Sequence, residues 1–184
     1  MKKDSIKSHL KDYSIYQKRW TTVNHAFAAA LSAADLYDAA KVSEALRLLD
    51  QDPDGDLACI YCDKPGQTWD HVTSTVSKGK FSGVGHQIGN LVPCCKACNS
   101  SKGSRNWVAY IDSLGLDHAT RDHKVRMITA YIDQNVINVK ERLEQDCSAE
   151  LQELESIKQQ IYQLMKSADL ISTEVRRKIS QSSN

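Results

Sequence analysis

The chain has 184 residues, 41% of them apolar, and a formal net charge of +1. That is enough apolar matter for the core of a water-soluble domain, while no apolar run approaches the roughly eighteen residues that a membrane helix takes. A charge balance this near zero does not by itself announce a nucleic-acid or membrane-surface partner.

In chain order, Thr21 to Ala34 is Ala-rich and reads as a helix with Thr21 or Thr22 as its cap. Lys41 to Leu49 continues helical, with Val42, Ala45, Leu46 and Leu49 at three- and four-residue spacings. Asp52-Pro53-Asp54-Gly55 is a strong turn signal and marks a module boundary. From Leu57 to Gly103 the chain becomes rich in Cys, Gly, Ser and Thr. Within it Val72, Thr73, Thr75 and Val76 favour a strand over Trp69 to Ser77. Gly79, Gly83, Gly85 and Gly89 punctuate a loop, and Asn90 to Pro93 reads as a second short extended piece.

Trp107, Val108, Ile111 and Leu114 predict a helix over Ser104 to Leu114, ended by Gly115, and Asp117 can cap the next one. That next helix reads as a long amphipathic arm from Val125 to Val175, with phase slips near Cys147 and after Leu154. Its apolar stripe offers the seam of a homodimer or a surface that folds back on the N-terminal helices, and both arrangements stay open. Ser180 to Asn184 is expected to be disordered. The division expected is an N-terminal helical region (1–52), a central module (53–115) and a C-terminal helical arm (116–184).

Charge distribution says more than the total. His71 to Ile111 holds no Asp or Glu, yet carries Lys78, Lys80, Lys96, Lys102 and Arg105, which suits a phosphate-rich partner as well as a solvated surface. Six cysteines are present, and the first dozen residues lack the apolar core of a secretory leader. The expectation is therefore a cytoplasmic, reducing setting of bacterial or phage kind, where paired cysteines point to metal rather than disulfides. Cys59-Ile-Tyr-Cys62 and Cys95-Lys-Ala-Cys98 are two CxxC pairs separated by 32 residues. Four thiolates suit tetrahedral zinc, and ligation would supply folding energy to a segment with little core of its own. Cys94 is expected to be a small buried neighbour rather than a ligand.

Between and after those pairs lie Trp69-Asp70-His71-Val72, then Gly89-Asn90-Leu91-Val92-Pro93, then Asn99 in Cys98-Asn99-Ser100-Ser101-Lys102. The order CxxC, Asp-His, Asn, CxxC-Asn-x-x-Lys resembles the HNH endonuclease family in its four-cysteine form. The resemblance implies an α+β fold: a treble-clef-like ββα-metal module stapled by Zn2+, here flanked by N- and C-terminal α-helices. It implies His71 as general base for phosphodiester hydrolysis, Asn90 as its support, and a catalytic Mg2+ or Mn2+ on Asp70 and Asn99. Lys102, and with it Arg105 in the first turns of the helix expected after Asn99, would contact DNA phosphates.

The residues agree in kind. Imidazole titrates near neutral pH and can take a proton from water, and Asp and Asn oxygens suit a hard cation. Adjacent residues on a regular strand face opposite sides, however, so Asp70 and His71 share a site only if the strand distorts or ends there. His86, in a glycine-flanked loop, reads as an exposed histidine. Two other readings remain at this point: a zinc-stapled nucleic-acid-binding module without cleavage, and a structure-selective nuclease on branched DNA.

Overall fold

The computed structural model describes residues 3–32 and 34–181. It is an α+β structure, mostly helical, in which contacts group the chain into two compact units. Residues 25–146 form one, and residues 1–24 with 147–184 form the other.

The larger unit is built around a two-stranded antiparallel sheet. Strand β1 (Thr68–His71) pairs with β4 (Leu91–Cys94), Thr68 opposite Cys94 and His71 opposite Leu91. Pro93 is tolerated because a two-stranded sheet has only edge strands. The expected strand through Ser77 stops at His71. A small hairpin, β2 (Val76–Ser77) and β3 (Lys80–Phe81), replaces its second half. Before the sheet, α2 (Ala39–Leu48) is capped by Asp38, whose carboxylate accepts from the Ala40 and Lys41 amides.

After β4 comes α3 (Lys96–Lys102), so Asn99 lies inside a helix that begins earlier than expected and ends before Arg105. Helix α4 (Trp107–Asp112) is capped by Asn106, and Gly115 beyond it has φ +69, a left-handed conformation open to glycine. Asp117 caps α5 (His118–Asn135), as its position predicted, by accepting from the Thr120 amide at 3.0 Å.

The long arm is three helices rather than one. Helix α5 ends at Asn135, α6 covers Lys140–Asp146, and α7 covers Ser148–Gln181. The expected slip at Cys147 coincides with the gap between α6 and α7, whereas the helix passes Leu154 without a break. A further gap at Val136–Val139 has a local cause: Gln87 exchanges two side-chain hydrogen bonds with the backbone of Ile137, both at 2.8 Å. Helix α7 runs through Ser180 and Gln181, which were expected to be disordered; residues 182–184 lie outside the described residues.

The core of the larger unit crosses both edges of the central module. Ala45 and Leu49 from α2 and Ile128 and Tyr131 from α5 join Ile60, Tyr61, Val72, Val92, Tyr110 and Ile111 in one buried cluster. The Tyr131 hydroxyl donates to the Leu91 carbonyl at 2.6 Å and also to that of Ile88. The Lys124 ammonium, buried, donates to the Ile60 carbonyl at 3.0 Å and to Asp63 at 2.7 Å. Thus α5 holds the backbone on both sides of the sheet.

Helix α1 (Ile15–Leu31), whose residues up to Asn24 belong to the smaller unit, starts before the expected Thr21. Ser14 caps it, its hydroxyl accepting from the Gln17 amide at 3.1 Å, and Asp169 of α7 joins that cap by accepting from the Ile15 and Tyr16 amides at 2.6 and 3.1 Å and from the Ser14 hydroxyl at 2.7 Å. Tyr162 packs edge-on against Tyr16 and donates to Asn24 at 2.8 Å. Within this unit α7 folds back on the N-terminal helix, leaving Leu164, Leu170, Ile171 and Val175 exposed. Among the described residues no helix is long and apolar enough to cross a membrane.

Ile128 is fully buried at the centre of the larger cluster. Ile128→Ala should cost about 2–5 kcal/mol in chemical denaturation, the range for deleting a large aliphatic side chain from a packed core. A loss under about 1 kcal/mol would show that α5 is not integral to the fold.

Candidate active site and metal centre

Two turns bring the thiols together. In the first, the Asp63 amide donates to the Cys59 carbonyl at 2.9 Å and Asp63 adopts a left-handed φ of +59. In the second, Cys95 is itself the N-cap of α3, its sulfur accepting from the Cys98 amide at 3.4 Å. The ligand atoms of Cys59, Cys62, Cys95 and Cys98 lie within 4.8 Å of one another. Cys62 and Cys95 are 3.7 Å apart, and a tetrahedron with Zn–S bonds near 2.3 Å has edges of about 3.8 Å. Four soft donors at this spacing fit zinc.

Cys94 stays outside the set, as expected. Its buried thiol lies 4.0 Å from the Cys59 sulfur. The contact with Cys94 pulls the Cys59 thiol down to about 4, while the same contact and burial push Cys94 up. The Cys94 thiol donates to the Cys95 carbonyl at 3.3 Å.

Strand alternation separates Asp70 from His71. Asp70 points inward and is 3% exposed. Its carboxylate accepts from the buried Tyr61 hydroxyl at 2.7 Å and pairs with the Lys102 ammonium at 3.1 Å. Burial and the Asp70 charge push the Tyr61 hydroxyl well above its ordinary range, so it is a permanent donor. Lys102 is 1% exposed and also donates to the His71 carbonyl at 2.8 Å. The sequence expectation placed Lys102 on DNA phosphates; the structure places its ammonium inside, because the last turn of α3 faces the strand rather than solvent.

Asn99 is half-buried on α3, with its amide nitrogen 3.5 Å from the Trp69 carbonyl. Asp70 and Asn99 are the right chemistry for Mg2+ or Mn2+, yet the carboxylate is already neutralised by an ammonium and a phenol in the interior. As arranged, the pair does not fit a hydrated divalent ion, since an ion there must displace Lys102 from a buried ion pair. Arg105 is exposed, its guanidinium 4.9 Å from the Tyr110 ring centroid and bonded back to the Ser101 carbonyl.

His71 ends β1 half-buried, its Nε2 2.9 Å from Nδ1 of His86. At that distance one ring carries the proton and the other accepts it, which fixes their relative tautomers. Burial first, then His86 and Lys102, hold the His71 pKa below its ordinary 6.5 against the opposing pull of Asp70. The ring is therefore a neutral base at pH 7.

Asn90, 1% exposed, sets this geometry. Its side chain accepts from the Thr73 amide at 2.8 Å and donates to the carbonyls of Thr73 at 2.9 Å and Gly85 at 3.1 Å. Its own carbonyl takes the Val72 amide at 2.9 Å. One side chain thus joins the segment after His71 to the segment before His86. The sequence reading left His86 aside. Its placement one residue after Gly85, in the segment that the Gly89-Asn90 turn must latch, was the available signal.

A two-stranded sheet, a following helix and four gathered cysteines that can hold a metal such as zinc define a ββα module. Residues 59–105 match the family model described as HNH endonuclease, so this module is an HNH domain, and the helices on both sides lie outside the match. Domains of this family serve nuclease-type or nucleic-acid-binding functions. No curated protein and no solved structure matches the chain.

Stripping the metal from the full chain with a strong chelator should release one zinc equivalent and abolish the cooperative thermal transition of the larger unit. Cys98→Ser should purify with less than one equivalent. Retention of a full equivalent and an unchanged melt would remove Cys98 from the ligand set.

Proposed function

We propose that this chain is an HNH endonuclease that hydrolyses phosphodiester bonds of double-stranded DNA, with His71 as general base. The observation that carries the reading is the state of His71: a neutral, half-buried imidazole whose backbone is held from one side by Lys102 and from the other by Asn90. A base held still and unprotonated at working pH can take the proton of an attacking water. The stretch from His71 to Ile111, which holds no Asp or Glu, supplies attraction for phosphates through Arg105, Lys78, Lys80 and Lys96, all exposed. A homodimer through the exposed apolar face of α7 would present two such sites, one to each strand.

The second reading, a nucleic-acid-binding module without cleavage, is favoured by one observation: the Asp70 carboxylate is engaged by Tyr61 and Lys102. Supercoiled plasmid with magnesium or manganese separates the two. His71→Ala should lower the cleavage rate by roughly 10²- to 10⁴-fold with zinc content unchanged. Absence of cutting by the parent chain with either ion would favour the binder.

The pH dependence follows from the direction of the His71 shift. A base with lowered pKa stays unprotonated until the pH falls below 6.5, so the rate should be full at pH 7 and decline only on the acid side of 6.5. An acid limb in kcat/KM with its midpoint above 6.5 would contradict His71 as the base.

A further inference from the structure

The β2–β3 hairpin carries two of the lysines named above, and in the chain it lies between the two imidazoles. The chain enters it through Val72–Thr75, directly after His71, and leaves through Ser82–Gly85, directly before His86. Its base is closed by the Ser82 amide donating to the Thr75 carbonyl at 3.0 Å. Asn90 binds both legs, at Thr73 and at Gly85. The outgoing leg is fastened again where the Val139 amide donates to the Gly83 carbonyl at 3.0 Å. Gly83 has φ +92, and a Cβ there would lie 2.6 Å from that of Lys140. The foot of the hairpin is therefore fixed to the same latch that sets the two imidazoles.

The tip carries charge. Ser77 pairs with Lys80, leaving Lys78 and Gly79 as a two-residue turn with φ of +51 and +76. Positive φ at both central positions is the type I′ turn, whose first position favours Asn. Lysine takes that conformation against its steric preference. Lys78 and Lys80 are both exposed, and the nearest acid in sequence on either side is Asp70 or Asp112. A cation held at a strained tip, where Asn would sit more easily, points to a use for the charge.

We infer that the β2–β3 hairpin is a phosphate-gripping finger. Lys78 and Lys80 contact the sugar–phosphate backbone of duplex DNA beside the scissile bond and orient the duplex against His71. The inference rests on the nuclease reading and deepens it. Lysines act on phosphate as point charges, so the finger sets position and carries no base preference.

The test uses the full zinc-loaded chain in a His71→Ala background, with a labelled DNA duplex titrated at several salt concentrations. Lys78→Asn should reduce the slope of log K against log salt by about 0.9, one phosphate contact. It should weaken binding roughly 3- to 10-fold near 0.1 M salt. Because Asn suits the turn, its melting temperature should match or exceed that of the background, and Lys78→Arg should retain binding. An unchanged slope and affinity in Lys78→Asn would overturn the finger even if the parent chain cuts plasmid. A parent that binds duplex with this Lys78-dependent slope but never cuts would overturn the nuclease reading and leave the finger standing. A parent that does not bind duplex DNA would remove both.

Discussion

Four thiols from two distant turns meet within 4.8 Å, and the position of every other group in the module follows from that meeting. The sheet they staple has only four residue pairs, far too few to hold two strands together unaided. With the sulfurs gathered, the Ile60 amide reaches the Pro93 carbonyl at 3.0 Å and the Gln67 amide reaches that of Cys94 at 2.9 Å. These bonds set β4 against β1. Because Cys95 is at once ligand and helix cap, the clamp also fixes where α3 begins. The direction of α3 then decides that Lys102 runs under β1 rather than out to solvent.

The buried polar groups form a chain of consequence. Tyr61 donates to Asp70, Asp70 pairs with Lys102, and Lys102 donates to the carbonyl of His71. A buried ion pair contributes little net stability over an apolar replacement, but removing one partner leaves a buried charge at a cost of about 3–5 kcal/mol. In this arrangement each member of the network has a hydrogen-bond partner. Here that arrangement holds the backbone of the imidazole-bearing residue, with Asn90 fixing the next amide from the other side.

How much of this was legible follows from the range of each cause. The CxxC pairs, the Asp117 cap and the Gly115 stop are written within a few residues of where they act, and the structure has them there. The start of α1 lies at Ser14, whose hydroxyl accepts from the Gln17 amide, and Thr21 and Thr22 offered an equally good cap type further on; only Asp169, more than 150 residues away, marks which serine or threonine is used. The strand through Val76 was overextended because β-branched residues favour extended backbone without saying which partner they pair with. The break at Val136–Val139 depends on Gln87, which no helical period reveals. Lys102 was placed on a phosphate by the family resemblance and by a helix expected to start after Asn99, whereas α3 starts at Lys96 and Lys102 lies in its last turn. Only the direction of α3 puts it beside an acid and a carbonyl.

His86 shows the same limit from the other side. Read alone, a histidine between glycine-rich turns is solvent-facing, and it is in fact exposed. What distinguishes it is the partner across the loop, His71 at 2.9 Å, and the Asn90 side chain that joins the two segments. The two faces of β1 therefore do different work with neighbouring residues. The inward residue, Asp70, acts through Lys102 on backbone position; the outward residue, His71, meets a second imidazole at the surface. A pattern that treats Asp-His as one functional dipeptide is compatible with both roles. In this fold the strand's alternation assigns them, and the acid holds the imidazole's backbone through an ammonium while its charge acts on the ring directly.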